Sequence, residues 1–175
     1  VEPPWERPRE VAEPVVLPGL KVPVGQDMVW GEGEAENWSS PTMPTWGTPF
    51  PSGTDWDAVL AAHRSGEEKL SFHSMAHLIV QGPEELVRPI LAEWDGRGMW
   101  DAGEVFWMRN VVVHYGIDAL PLALKVAKGN PATCSTLLLP YLDAQVATLM
   151  ADWYERVKSA RATATSWFTR HAAGA

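Results

Sequence analysis

Two imidazoles stand four residues apart in the stretch HSMAH, His73 and His77. On a helix that spacing puts both rings on one face, as metal ligands require. The residues between them are Ser, Met and Ala, so the Glu that a helical metalloprotease places beside its first His is missing, and no third ligand is evident nearby. A solvated or core-satisfied histidine pair is the plainer reading, with a metal-dependent hydrolase at His73 and His77 as its alternative. The one cysteine, Cys134, pairs with His114 as the sole thiol and imidazole combination for nucleophilic catalysis. An activated thiolate needs a helix N-terminus and a cation beside it, which are only partly present for Cys134 in the first turn after Pro131, and no Gly-rich elbow or oxyanion signature accompanies it, so a small buried residue is the plainer assignment. Glu67-Glu68 and Glu84-Glu85 sit at predicted helix starts, where the positive end of the helix dipole accounts for them without acid/base catalysis. No Gly-rich phosphate loop follows a strand, and Gly31-Glu32-Gly33 is not expected to open the helix that such a loop requires. No catalytic residue and no cofactor are assigned.

The remaining cluster with chemical potential is basic: Arg156, Lys158, Arg161 and Arg170. Lys158 and Arg161 share a face by their three-residue spacing and could meet a partner's carboxylates or a phosphate. Their plain role is a solvated edge that favours the negative end of the preceding helix.

These residues are positioned by a chain whose composition separates two regions, an arm over residues 1–54 and a helical body over 55–175. Ten of the fifteen prolines fall in 1–54, which argues against helix there and for an extended arm. Val15 to Val24 is β-compatible but broken by Pro18, Gly19 and Pro23, as an edge segment would be. Trp5, Trp30, Trp38 and Trp46 punctuate the arm. Their plain role is to lie in grooves of the body, and a docking motif for another protein is the alternative.

From Asp55 the period becomes helical. Thr54 or Asp55 caps a helix ended by Ser65-Gly66, and a second runs from about Glu67 to Gln81. Gly82 stops it and Pro83 opens a third, bent at Pro89. Asp101 caps a helix to about Tyr115 that is apolar almost all round and hence buried. Asp118 caps Ala119 to Lys128, and Gly129-Asn130-Pro131 restarts a short helix leading to a loop at Pro140 to Leu142. Asp143 then caps a pair of amphipathic helices that meet near Lys158 and Ser159. Val146, Leu149, Met150, Trp153 and Val157 form the first stripe; Ala160, Ala164, Trp167, Phe168 and His171 form the second. GPEELVRPI from Gly82 and GIDALPLAL from Gly116 align at an offset of 34 residues, the length of a helix-turn-helix repeat. The expected fold is all-α, with HEAT-like stacked helix pairs.

Charge is uneven along the chain. Residues 1–57 hold ten acids against three bases, 58–142 nine against seven, and 143–175 three against four, giving -8 in all. An acidic chain is a poor default ligand for nucleic acid or an anionic membrane. One cysteine permits no internal disulfide and fits a reducing, cytoplasmic setting. No apolar run approaches the ~20 residues that would span a bilayer. The chain opens on Val1 and stops just after a helix, as a piece of a longer protein would. Ten tryptophans favour packing and docking over catalysis.

The segment LMADWYERVKSARATATSWFTRH resembles the helical repeat region of bacterial MolR-like proteins, a group of unknown function called molybdate metabolism regulators. In that group an MADW-like helix, a Lys-Ser-x-Arg turn and an AxxWFxRH-like helix follow one another, as Met150–Trp153, Lys158–Arg161 and Ala164–His171 do here. The likeness extends more loosely to QGPEELVRPILAEW and to the arm around Trp5 to Trp30, and leaves Trp38 to Phe50 unmatched. It implies a HEAT-like α-solenoid within a longer polypeptide whose relatives sometimes carry a WGR domain. It supplies no catalytic residues. The function expected is a non-enzymatic interaction scaffold or regulatory module that holds a protein or peptide partner, or the remainder of its own polypeptide. The alternative from a different class is an accessory module of a nucleic-acid-associated regulator. Arg156, Lys158 and Arg161 are the candidate partner contacts, together with Trp167 and Phe168 as the face against which a further repeat would pack.

Overall fold

The computed structural model describes residues 23–39, 47–94 and 102–172, and side chains from 105 onward in the last stretch. Within them the protein is all-α, with one pair of very short strands. In order come β1 (Asp27–Met28), α1 (Glu34–Trp38), α2 (Trp56–Ser65), α3 (Phe72–Gln81), α4 (Glu84–Glu93) and α5 (Ala102–Tyr115). A 3₁₀ turn (Gly116–Ala119) leads to α6 (Leu120–Gly129) and α7 (Pro131–Cys134). A second 3₁₀ turn (Ser135–Leu138), β2 (Tyr141–Leu142), α8 (Ala144–Arg156) and α9 (Arg161–His171) complete the series.

The body's helix starts and stops follow local chemistry. Asp55 accepts the amide of Ala58 at 3.0 Å, and Gly66 closes α2 at φ 81, a conformation that costs glycine little. Asp143 accepts the amides of Gln145 at 2.7 Å and Val146 at 3.2 Å, opening α8. Two predicted starts move. The second helix begins at Phe72 and not at Glu67, because the Ser71 hydroxyl caps Ser74 while Glu68 and Leu70 donate backward, to the Ala62 carbonyl and to His63 Nδ1. Those local bonds satisfy amides that a longer helix would have used. Asp118 does not cap α6; it lies in the 3₁₀ turn and binds Arg88 instead, and Pro121 sits in the first turn of α6.

α6 is the hub of the core. Leu122, Ala123, Val126 and Ala127 are buried on it, and it packs against α4, α5, α7 and the second 3₁₀ turn. Trp107 and Met108 of α5, Leu91 of α4 and Leu138 join this core, and Met150 of α8 extends it. Trp107 gathers Phe72 and Trp94, each with ring centroids 6.3 Å away. These contacts supply apolar burial of about 1.5–3 kcal/mol per large side chain. The helices at the 34-residue offset, α4 and α6, do pack on each other. They are not equal copies, since a 3₁₀ turn precedes the second and none precedes the first.

The described part of the arm over residues 24–39 is not extended throughout, since it contains α1. Val24 to Ser40 holds no proline, and this gap admits both α1 and the antiparallel pairing of Asp27 with Leu142 and Met28 with Tyr141. Within Pro140 to Leu142, read as loop, Tyr141–Leu142 is therefore the partner strand. Trp38 is buried and meets Trp30 edge to face at 5.5 Å, so these two tryptophans do pack into the body. Glu34 binds Arg170 of α9 through two N–H contacts, at 2.7 and 3.1 Å, and also accepts the Gly31 amide. The segments around Trp5, Val15 to Val22 and Trp46, and Asp101 as a cap, lie outside the described residues.

Candidate functional site

Among the described residues, a groove of about 460 Å³ is bounded by α4, the first 3₁₀ turn, α6 and the start of α8. Gly116, at φ 56, ends α5 and turns the chain so that Ile117 and Asp118 emerge beside α4. Leu120, Pro121 and Leu124 of α6 form the floor with Ala92 of α4, while Gln26 and Gln145 close the far side. Gln26 is held there by its own amide, which donates to Asp143 at 2.9 Å. Ile117 is a third exposed, so the groove opens to solvent over an apolar surface.

Its rim is an ionic chain. Arg88, four residues into α4, donates to Glu84 at 2.8 Å and to the Asp118 carboxylate across the groove. The same guanidinium lies 5.6 Å from the ring centroid of Tyr115, whose hydroxyl donates to the Ile79 carbonyl at 3.0 Å. His114 Nε2 stands 3.0 Å from the other Glu84 oxygen. The Arg88 hydrogen bond holds the Glu84 carboxyl below its ordinary range, and the two carboxylates in turn raise Arg88. Burial, reinforced by the Glu84 charge, pushes the Tyr115 phenol up to about 12. Lys125 donates to the Ala92 and Trp94 carbonyls at 2.5 and 3.1 Å, closing the negative end of α4. The groove thus offers apolar contact, amide hydrogen bonds and charge, and no Ser, Thr, Cys, His or Lys is among its lining residues. Sequence reasoning found the groove's helices but not the groove, since Arg88 and Asp118 lie 30 residues apart. The 34-residue alignment was the one available signal.

The residues singled out from sequence fall elsewhere. His73 is exposed and His77 is buried, and Gly47 lies over both: a Cβ there would stand 2.8 Å from the His73 Cβ and 3.4 Å from the His77 ring. Among the described residues no group of three or more His, Cys, Asp or Glu is placed to hold a metal ion. Cys134 is buried, whereas His114 is exposed with its Nε2 on Glu84.

Two of the three basic candidates are engaged within the hairpin of α8 and α9. Arg161 donates to the Tyr154 and Glu155 carbonyls at 2.8 and 3.2 Å and stacks on the Tyr154 ring, and Arg156 pairs with Asp152 at 3.3 Å. This is the helix-end role the charge pattern suggested, and Lys158 remains exposed in the connecting turn. Trp167 corrects the expectation of an outward face. It is 3% exposed, its indole N–H donates to the Tyr141 carbonyl at 2.9 Å, and the His171 ring lies 4.5 Å away. Burial of the indole with its donor satisfied makes it part of the core, where Phe168 is half-buried beside it.

No family model, no curated protein and no solved structure matches this chain.

Proposed function

We propose that this chain is a non-enzymatic interaction module of HEAT-like helix pairs within a larger MolR-like protein. In this reading its groove between α4 and α6 receives a segment of a partner protein or of the remaining polypeptide. The observation that carries the reading is the groove itself: an apolar floor from Leu120, Leu124 and Ala92 under a polar rim from Arg88, Asp118, Gln26 and Gln145. Stacked helix pairs present such concave surfaces between neighbours, and side chains of a bound segment seat in them. A few convergent polar groups over apolar walls are what fixes orientation in a binding site. Two features support binding over catalysis. Arg88 of the rim is paired with Glu84 and Asp118, and Arg161 and Arg156 are engaged within α8.

The test is affinity capture from the native host, with and without nuclease, using the wild-type chain and Ala92→Arg. Ala92 is exposed among the groove's lining residues, so a long side chain there fills the groove without disturbing the core. Partners retained after nuclease treatment by the wild type and lost with Ala92→Arg are the expected outcome. Retention independent of Ala92, or no retained protein, would count against the groove. Retention abolished by nuclease and by Lys158→Glu would favour the nucleic-acid alternative. Native mass spectrometry showing a stoichiometric metal would favour the hydrolase.

A further inference from the structure

The charge at the groove rim goes a step further and depends on the groove reading above. Arg88 is the one cationic residue among the groove's lining side chains. It already binds two carboxylates, Glu84 and Asp118. Counted as two acids and one base, Glu84, Asp118 and Arg88 carry a formal surplus of one negative charge. Among the described residues, Lys125 nearby is spent on the two carbonyls that end α4. Gln26 and Gln145 on the opposite side add no charge. The chain as a whole carries -8, so the long-range field also attracts cations and repels acids.

An incoming carboxylate would find only the unused N–H groups of Arg88, with the Glu84 and Asp118 carboxylates already beside it. An incoming ammonium or guanidinium meets Asp118 without breaking anything. Only one Asp118 oxygen is used by Arg88, and its side chain is 53% exposed. Below it, Ile117, Leu120 and Leu124 offer space for a branched apolar side chain. We infer that the groove selects a partner peptide segment that carries a Lys or Arg beside a branched apolar residue, the cation reaching Asp118 and the apolar group seating on α6. Charge complementarity of this kind sets choice and association rate more than affinity, and it weakens with salt.

The experiment selects a displayed library of random dodecapeptides on the full chain, then measures synthetic versions of the winners by fluorescence polarisation. Enriched peptides should combine Lys or Arg with Leu, Ile or Val. Replacing the key Lys by norleucine, which keeps the stem and removes the charge, should weaken binding about tenfold at low salt. Asp118→Asn should shrink that difference to about twofold or less. Arg88→Gln should enlarge it, because it leaves both carboxylates unneutralised. Melting curves of each variant confirm that the fold is retained. Acidic or uncharged winners, or a Lys preference untouched by both variants, would overturn the inference. If Ala92→Arg abolishes binding while no charge preference exists, the groove reading stands and this inference falls. If Ala92→Arg changes nothing, both fall.

Discussion

The clamp between Glu34 and Arg170 joins residues 136 apart and should be the main polar anchor of the N-terminal segment on α9. The two side chains are 16% and 20% exposed, and the contact is bidentate. Exposed pairs contribute about 0–1 kcal/mol, whereas breaking a fully buried pair costs about 3–5 kcal/mol, because one charge is left uncompensated. At this intermediate burial, Arg170→Met should cost about 2–3 kcal/mol. The value exceeds that of a surface pair for two further reasons. Glu34 also accepts the Gly31 amide at 2.9 Å, and Arg170 approaches the Val29 carbonyl at 3.4 Å, so the loop before α1 loosens with the pair. For a chain of this size that corresponds to a fall in Tm of about 5–10 °C. A double-mutant cycle with Glu34→Gln and Arg170→Met, followed by circular dichroism melting, isolates the coupling. The expected coupling is about 1.5–2 kcal/mol, with Val29, whose amide donates to Pro140 at 2.7 Å, exchanging faster in the variants. A coupling under about 0.5 kcal/mol, with unchanged exchange at Val29, would refute the view that this pair fastens the segment.

Other outcomes follow from single contacts. Asp143→Ala removes the cap of α8 and the anchor of Gln26 together, and should lower stability by about 1–2 kcal/mol in urea unfolding. Gly47→Ala adds a methyl against the His73 Cβ at a backbone φ of 83, so a loss of about 1–3 kcal/mol is expected, and an unchanged midpoint would contradict the packing described. Burial is the chief cause that lowers the His171 pKa, so the unfolded chain binds a proton there more readily than the folded one. The stabilising contribution is full above the ordinary histidine value of about 6.5 and declines as pH falls below it toward the folded pKa. Urea midpoints measured at several pH values for wild type and His171→Gln should show a shallower acid decline in the variant. Tyr115, raised to about 12, should stay un-ionised in an ultraviolet titration at pH 10–11, a range in which exposed tyrosines ionise.

Which parts of the architecture could be read in advance depends on how far apart the interacting groups lie. The Asp55 and Asp143 caps, the Gly66 and Gly82 stops and the α8–α9 hairpin all depend on neighbours within a few residues. The amphipathic stripe of α8 faces the core as its period required, with Val146, Met150 and Trp153 buried. The start of α3 was misplaced because Ser71 competes as a cap with the acids at Glu67-Glu68, and the decision came from bonds back to α2. The short strand at Tyr141–Leu142 was invisible because its partner, Asp27–Met28, lies more than a hundred residues earlier.

The candidate site divides the same way. Spacing alone brought His73 and His77 to one helix, but burial of one ring and exposure of the other was decided by what packs over them, including Gly47. The identity of Arg161 as a helix-end donor was readable from its position after α8. The role of Arg88 was not, since Glu84 is a local partner and Asp118 a distant one. The sequence by itself determined the all-α class, most helix boundaries and the acidic balance of the chain, because propensity, caps and net charge are local or additive quantities. Tertiary structure decided that Trp167 is core, that Glu34 binds Arg170 of α9, and that a groove rimmed by Arg88 and Asp118 opens between α4 and α6. Each of those depends on which distant surfaces exclude water from one another.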